Sequence, residues 1–325
     1  MNPTRRLMAL DLGTARTRSL AVGGHAIADR PSAIVRRSSA SSRTDVVRPI
    51  RHGMVADPAA CLRLVRMAVQ DTRHYSMRPL EQVLAGVPVA ASHSDRQAVR
   101  AAVAEIAGCE VRLVEEPLAA AVGVGLDVLD PRPCLLLDVG AGIVEAVAIG
   151  QGAVTDAVAL QLSATTSAGL AAYALESVVD MTASLLRRLP ATSRPAARAR
   201  GLVVTGGGAH QELLLRRLRT TMRLPVSAAP QPQHVTVRGL MRLCLQPALA
   251  AGLALSARRR AATRTDLHAG LLPQHLRDAY LSQEGSDDHD RQSHDIASQQ
   301  CAAPVAAPES AGAAGAAQPA PARPA

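Results

Sequence analysis

The fold of this chain is decided by residues 8–22, which read Met8-Ala-Leu-Asp-Leu-Gly-Thr-Ala-Arg-Thr-Arg-Ser-Leu-Ala-Val. An apolar run ends close to Asp11, the chain turns at Gly13, and a second run with alternating apolar residues follows. A short apolar run before a glycine and an alternating run after it indicate strands joined by a tight turn. This stretch therefore predicts a strand, a glycine turn and a returning strand.

Two further stretches repeat the combination of an apolar run and a glycine turn. Leu135-Leu-Leu-Asp-Val-Gly begins the pattern again, with a predicted hairpin turning at Gly150–Gly152, and the predicted strand from Gly201 ends in three glycines at 206–208. Strands alternating with helices predict an α/β fold with mixed sheets. Helices are predicted from apolar spacing over residues 58–70, 95–107, 117–124, 170–189 and 211–222.

Two other segments have a composition that favours irregular structure. Residues 36–48 are rich in Ser and Arg and predict a loop. From about Gln283 the composition changes to Asp, His and Ser and then to Ala and Pro, which cannot bury enough apolar surface to fold. We expect this tail to be disordered.

The composition restricts the classes of protein that need to be considered. All 36 basic residues are arginine and the net charge is +9, yet the arginines on predicted helix faces have no aromatic residues between them, so nucleic-acid binding is not expected. These arginines are Arg63/Arg66, Arg96/Arg100 and Arg216/Arg217/Arg219. The five cysteines are scattered without a CxxC pair, which argues against a disulfide framework and a zinc site. No apolar run reaches about 18 residues, so we expect a cytoplasmic protein that is at most peripheral on a membrane.

The three glycine turns carry the chemistry that the sequence indicates. Glycines let backbone N–H groups approach phosphate oxygens closely. Asp11 and Asp138, which end the first two strands, are suited to hold the water shell of a Mg²⁺ ion. One such turn is weak evidence, because tight-turn geometry alone explains many glycine pairs. Two Asp-x-Gly turns followed by a triple glycine form a more specific pattern.

In this order the turns resemble the actin, heat-shock protein and sugar-kinase superfamily, and most closely its MreB (rod shape-determining) family. The segments ALDLGTART, RPSAIV, RPIRHGMVADP, VEEPLAAAVGVGL and GLVVTGGG, within residues 8–255, carry the resemblance. It implies an actin-like (ribonuclease-H-like) fold of two lobes around a cleft for ATP and Mg²⁺. It implies nucleotide-binding residues at Asp11, Gly13, Thr14, Ala15, Arg16, Asp138, Gly140, Ala141, Gly142, Gly206, Gly207, Gly208 and Ala209.

By the same resemblance, Asp11 and Asp138 serve the metal and Glu116 matches the catalytic glutamate that orients water. The alternative for Glu116 is that Glu115-Glu116 simply begin a helix, where carboxylates favour the positive end of its dipole. Two departures weaken the match. Ile143-Val144 stand where the family carries hydroxyl residues, and Arg16 stands where it usually has Asn, so that it either pairs with a phosphate or blocks the site.

Two insertions of the resembled family are short or missing, so we expect the fold to be reduced to its two core subdomains. Residues 1–130 are predicted as lobe I with a reduced subdomain IB, and residues 131–265 as lobe II without subdomain IIB. Residues 266–325 are predicted as a C-terminal extension, disordered from about 283. This shortened form resembles Mbl-type proteins of spore-forming actinobacteria.

The resemblance implies a cytoskeletal protein of cell shape and cell-wall synthesis, in this shortened form of the spore wall. We expect a scaffold or co-assembling subunit with weak or lost ATPase activity. Its expected partners are a full-length MreB-type protein and the membrane-bound wall-synthesis complex at the inner face of the plasma membrane. Tyr75, between Arg73 and Arg78, marks either a membrane-contacting segment or an ordinary loop. Two alternatives stay open: a self-polymerising ATPase and a divergent sugar-kinase-like enzyme.

Overall fold

The strand-turn-strand predicted near the start of the chain is present in a computed structural model, as β1 (Leu7–Leu12) and β2 (Arg16–Ala21). The structure describes residues 6–24, 26–37, 44–73, 79–162, 165–166, 169–170 and 172–256. These all belong to the first of two units, Met1–Ala261 and Ala262–Ala325. The tail predicted as disordered and the segment around Tyr75 lie outside the described residues.

The first half of the chain builds a five-stranded sheet in the order β3-β2-β1-β8-β9. β1 pairs antiparallel with β2 and parallel with β8, so the sheet is mixed as predicted. Its elements after β2 are β3 (Ala28–Pro31), β4 (Ile34–Arg37), β5 (Thr44–Val47), β6 (Ile50–Arg51), β7 (Met54–Val55), α1 (Pro58–Arg73), β8 (Gln82–Val87), α2 (His93–Ala107), β9 (Glu110–Glu115) and α3 (Glu116–Val124).

The second half repeats this plan in a sheet with the order β12-β11-β10-β15-β16. Again the central strand pairs antiparallel with the strand after the glycine turn and parallel with a later one. Its elements are β10 (Cys134–Val139), β11 (Ile143–Gly150), β12 (Ala153–Gln161), β13 (Thr165–Thr166), β14 (Gly169–Leu170), α4 (Ala172–Arg188), α5 (Arg194–Arg200), β15 (Leu202–Thr205), α6 (Glu212–Met222), β16 (Val226–Ala228), α7 (Val235–Leu245) and α8 (Pro247–Ser256).

Helices α3 and α7 connect the two sheets. They belong to an apolar cluster that also takes residues from the first sheet, such as Leu84, and from the second, such as Leu136. The helices cross with their backbones in contact, because a Cβ atom on Gly239 would lie 1.7 Å from the carbonyl oxygen of Ala119. Glycine at this crossing lets α7 return to the first sheet and hold the two halves of the chain together.

The five predicted helices are confirmed, with ends shifted by at most three residues. The loop predicted over residues 36–48 is wrong at 36–37 and 44–47, which lie in strands, while residues 38–43 are outside the described part of the chain. β4 and β5 form an antiparallel ladder there, with Val35 opposite Val46. Both valines are exposed, at 64% and 63%, and their neighbours are polar, so the segment has the composition of a loop. Backbone pairing and the buried Ile34 hold this hairpin instead.

Within the described part of the chain, no single helix has the length and apolar composition needed to cross a membrane. Pro232–Leu245 and Pro247–Ser256 reach that length only together, across a bend of 104°.

Candidate functional site

The glycine turns meet at one cavity of about 130 Å³, between the carboxyl ends of the central strands of the two sheets. Polar side chains at strand ends converge there because the two halves of the chain repeat the same plan. The predicted site residues that line it are Asp11, Gly13, Thr14, Ala15, Arg16, Glu116, Asp138, Gly140, Ala141, Gly142, Gly206 and Gly207.

The two Asp-x-Gly turns have the same construction. A Cβ atom on Gly13 would lie 2.7 Å from the carbonyl oxygen of Arg16, and one on Gly140 would lie 2.7 Å from that of Ile143. Each glycine is therefore required by the closure of its own turn, whether or not a ligand is bound. In the register of the strands, Asp11 lies opposite Arg18, and the equivalent Asp138 lies opposite Glu145.

Arg18 is a second basic residue of the cavity beside Arg16, and the sequence analysis did not identify it. Its side chain is only 13% exposed, and its Nη1 lies 3.7 Å from Asp11 Oδ2. Its Nε donates to Asp29 Oδ2 at 3.2 Å. Burial opposes ionisation of Asp29, but hydrogen bonding by Arg16 and the charges of both arginines lower the pKa of this carboxyl. Asp29 therefore anchors both arginines at one wall of the cavity.

Arg16 does not take the position that a free phosphate-binding arginine would have. Its Nε donates to Asp29 Oδ1 at 2.6 Å, and its Nη2 donates to the Asp29 carbonyl oxygen at 2.9 Å. The side chain still lines the cavity and is 44% exposed. Two outcomes were predicted for Arg16, pairing with a phosphate or blocking the site, and neither is decided. Its guanidinium is held by Asp29, and the residue also lines the cavity.

Three acidic side chains share the cavity and are all buried. Burial raises the pKa of Asp11 to about 6, with Arg18 opposing the shift and Asp138 adding to it. Burial also raises the pKa of Asp138, although Thr205 donates a hydrogen bond of 2.7 Å to its Oδ1. Burial and then the charge of Asp11 raise the pKa of Glu116 well above its usual range. Crowded, desolvated carboxylates of this kind are typical of functional sites.

Glu116 begins α3, as its local sequence predicts, and it also faces the cavity. Its Oε1 atom is buried and has no hydrogen-bond partner among the described residues. A buried polar atom without a partner is costly and uncommon in folded proteins, so this oxygen marks a position that solvent or a ligand completes.

Glu145 joins the two halves of the chain directly. Its carboxylate on β11 accepts the backbone N–H groups of Val89 at 3.2 Å and Ala90 at 3.0 Å, which follow β8. The side chain is 1% exposed. Burial raises its pKa to about 7, and the two N–H groups oppose that shift.

The two Asp-x-Gly turns lie close together, and both contact the turn between β6 and β7. The Gly53 N–H donates to Thr14 Oγ1 at 3.0 Å, and His52 Nδ1 lies 2.7 Å from the carbonyl oxygen of Gly142. A Cβ atom on Gly142 would lie 2.5 Å from Thr14 Oγ1. The turns are therefore packed together on one side, and the space between them is restricted.

The triple glycine is used in three different ways. Gly206 has a φ of +81° and lies against the backbone of Val139, which only glycine tolerates. Gly207 borders the cavity, and a Cβ atom there would meet open space. Gly208 packs against the Val139 side chain, and Ala209 is buried in the second core, so neither is among the residues lining the cavity. Of the three predicted glycines and Ala209, the cavity lining thus includes only Gly206 and Gly207.

Of the Ile143-Val144 pair, only Ile143 faces the cavity. Val144 packs into the core of the second sheet. Gly53, Gln233 and Thr236 also line the cavity and were missed. Gly53 lies in the turn between β6 and β7, Gln233 lies just before α7, and Thr236 lies in the first turn of α7. None of these positions carries a motif. For Arg18, a signal existed: alternation along β2 places it on the same face as Arg16 and opposite Asp11.

A divalent cation fits this arrangement poorly. Mg²⁺ keeps most of its waters and is held through one or two ionised carboxylates. Here the Arg18 guanidinium already lies beside Asp11, and its charge also lowers the pKa of Asp138. Within the described ranges, no group of three or more His, Cys, Asp or Glu side chains is arranged to hold a metal. The cavity is also smaller than the roughly 300–1,000 Å³ of typical ligand pockets.

Comparison with known sequences finds that the model of the MreB/Mbl protein family matches residues 5–167, half of the chain. The cell shape-determining protein MreB of Escherichia coli (strain K12) is 30% identical over 164 residues, which are 44% of this chain and 47% of that protein. The chain thus spans about half the length of the curated relatives it matches.

Solved structures agree over a longer stretch. MreB5 of Spiroplasma citri bound to ADP superposes with a TM-score of 0.67 at 17% identity, covering 74% of this chain and 96% of that one. The MamK double helical filament has a TM-score of 0.61 at 16% identity, covering 74% and 99%. At these identities the likeness concerns the fold alone, and it confirms the predicted actin-like α/β fold.

Proposed function

The chain belongs to the MreB/Mbl family, and on this basis we propose that it is a cytoskeletal protein of cell shape and wall synthesis. It acts as a scaffold or as a subunit that assembles together with a full-length relative, and its ATPase activity is weak or lost. The family supports the cytoskeletal role, and the geometry of the cavity supports the weak activity.

One observation carries the proposal of weak activity: the turn between β6 and β7 contacts both Asp-x-Gly turns and holds them close together. Gly53 and Thr14 share a hydrogen bond, and His52 lies within 2.7 Å of the Gly142 carbonyl oxygen. We expect that these two contacts would have to break before a nucleotide with three phosphates could enter the cavity. Ile143 adds an apolar side chain where a hydroxyl donor would stabilise a phosphate oxygen, a loss of about 0.5–1.5 kcal/mol per hydrogen bond.

ATP remains the ligand that we propose for the cavity. MreB5 of Spiroplasma citri, a solved structure with the same fold, is bound to ADP. The Asp11 and Asp138 turns would border the phosphates, and Gly206 with Gly207 would border the nucleoside side. Glu116 would stand beside a reacting water, but burial raises the pKa of its carboxyl well above the usual range and so disfavours the ionised form that accepts a proton.

The site of action is proposed from the family and from the surface charge. We propose a cytoplasmic protein at the inner face of the plasma membrane, where its arginines favour anionic lipid. Its partners would be a full-length MreB-type protein and the membrane-bound wall-synthesis complex, in a sporulating organism that of the spore wall. The chain would keep the two core subdomains, with lobes divided near residue 130 and short connections in place of the family's insertions.

The experiment compares the purified full chain alone, with ATP, and with the full-length MreB-type protein of the same organism. We expect it to pellet on ultracentrifugation only together with that relative, and to release phosphate no faster than its Glu116→Gln variant. Arg217→Gln, at an exposed ion pair with Glu176 on the second half, is the matched control. If the chain pellets equally with and without the full-length relative, the proposed co-assembly is contradicted.

A self-polymerising ATPase is the second candidate. The observation in its favour is that Asp11, Glu116 and Asp138 all border the same cavity. Long filaments of the chain alone, with phosphate release that Glu116→Gln abolishes, would establish this alternative.

A further inference from the structure

The cavity contains a positive charge of its own at the position where its acidic residues converge. Arg18 lies on β2 opposite Asp11, with Nη1 3.7 Å from Asp11 Oδ2. Its charge acts on Asp138 as well, since it lowers the pKa of that carboxyl. One positive charge therefore already acts on both carboxylates that were predicted to hold a metal.

A hydrogen bond to Asp29 fixes the position of the Arg18 side chain. Asp29 accepts its Nε at 3.2 Å, and the same carboxylate accepts Arg16 Nε through the other oxygen. Because Asp29 holds both arginines at once, neither side chain is free to leave the wall of the cavity. A guanidinium has five N–H donors in a planar fork, so these contacts leave donors for the oxygens of a phosphate.

A second, independent observation points to a ligand. Glu116 is 8% exposed, lines the same cavity and has a buried Oε1 without a partner among the described residues. The site therefore holds an unsatisfied polar atom on the wall that α3 provides. Gly207 adds an open edge, where a side chain would meet nothing within 4 Å.

We propose that Arg18 takes the electrostatic place of the divalent cation, so that the cavity binds a pyrophosphate-bearing ligand without metal. The inference rests on the proposed nucleotide role of the site and concerns how its charge is supplied. A divalent cation at Asp11 would be repelled by the Arg18 guanidinium, whereas a diphosphate anion is attracted by it. At about 130 Å³ the cavity accommodates the phosphate part of such a ligand and leaves the remainder outside.

The test is calorimetric titration of the full chain with ADP and, separately, with inorganic pyrophosphate, each in excess MgCl₂ and in EDTA. We expect Kd values in the two conditions to agree within about threefold. Binding of ADP and pyrophosphate alike assigns recognition to the diphosphate, whereas binding of ADP alone adds a contact to the nucleoside. Affinity that rises tenfold or more with Mg²⁺ would overturn the inference.

Variants of Arg18 separate its charge from its packing. Arg18→Gln should weaken binding in EDTA by about tenfold or more and make the remaining binding depend on Mg²⁺, while Arg18→Lys should stay metal-independent. Arg217→Gln should bind as the parent does. If Arg18→Gln does not fold by circular dichroism, the parent and Arg18→Lys still decide the question.

Two outcomes would contradict the inference in different ways. A folded Arg18→Gln that binds as tightly as the parent in EDTA removes Arg18 from recognition. A parent that binds neither ligand in either condition ends the inference and the nucleotide role, while co-sedimentation with the full-length relative still tests the scaffold role separately.

Discussion

Replacing Glu145 by Gln should remove a pH dependence from the stability of this protein. The carboxylate is 1% exposed and joins the two halves of the chain through the N–H groups of Val89 and Ala90. Burial raises its pKa from 4.5 to about 7. A carboxyl with a raised native pKa stabilises the fold in its protonated form. That contribution is complete below pH 4.5 and is lost as the pH rises through about 7.

The magnitude follows from the shift. A difference of about 2.5 pKa units corresponds to about 3 kcal/mol, most of it between pH 5 and pH 8. Glutamine is neutral throughout, so the variant lacks this component. It keeps one acceptor oxygen and loses the second, which costs about 1–3 kcal/mol at every pH. The free energy of unfolding of the variant should therefore gain on the parent by about 2–3 kcal/mol between pH 5 and pH 8.

The assay is urea unfolding at pH 5, 6, 7 and 8, followed by circular dichroism because the chain contains no tryptophan. Glu176→Gln is the matched control, since this carboxylate is half exposed in its ion pair with Arg217. The control should keep a constant difference from the parent. A Glu145→Gln difference that also stays constant within about 0.5 kcal/mol would refute the reasoning. Burial also raises the pKa values of three other carboxyls, those of Asp11, Glu116 and Asp138. The parent itself should therefore be less stable at pH 8 than at pH 5.

Three further predictions concern packing and burial. Gly239→Ala should destabilise the protein by about 3 kcal/mol or more, because its Cβ would overlap a carbonyl oxygen of α3. Gly252→Ala in α8, where a Cβ meets nothing within 4 Å, should stabilise the protein by about 0.5–1 kcal/mol. Thermal melts in which Gly239→Ala is the more stable variant would contradict this. Thr205→Val should cost about 1.5–3 kcal/mol in urea unfolding, since it removes a donor from a buried carboxylate. An equal cost for Thr155→Val, at an exposed threonine that donates to the Ala148 carbonyl oxygen, would argue against that cause. In a Cys301→Ser background at pH 8, a thiol reagent should label Cys109 before the other three described cysteines, which are buried; rapid labelling of all four in the folded protein would show this wrong.

Much of the fold was predictable because the decisive signals are local. The apolar strand runs around Gly13 and Gly140, the helical spacing of apolar residues and the glycine turns each depend on residues a few positions apart. The same local chemistry identified most of the cavity, since both Asp-x-Gly turns need glycine for their own closure. The β4–β5 hairpin escaped prediction because its exposed valines and polar neighbours give no apolar face.

The sequence by itself determined that two similar strand-turn-strand units exist and which carboxylates end them. Only the tertiary structure decided how these units face each other. Glu145 meets Ala90 across 55 residues, and His52 meets Gly142 across 90. Such contacts depend on how the α3–α7 crossing holds the two sheets, and no periodicity records that placement. For the same reason, the sequence showed Arg16 as a candidate for the phosphate, whereas the packing of Asp29 engages Arg16 and places Arg18 beside Asp11.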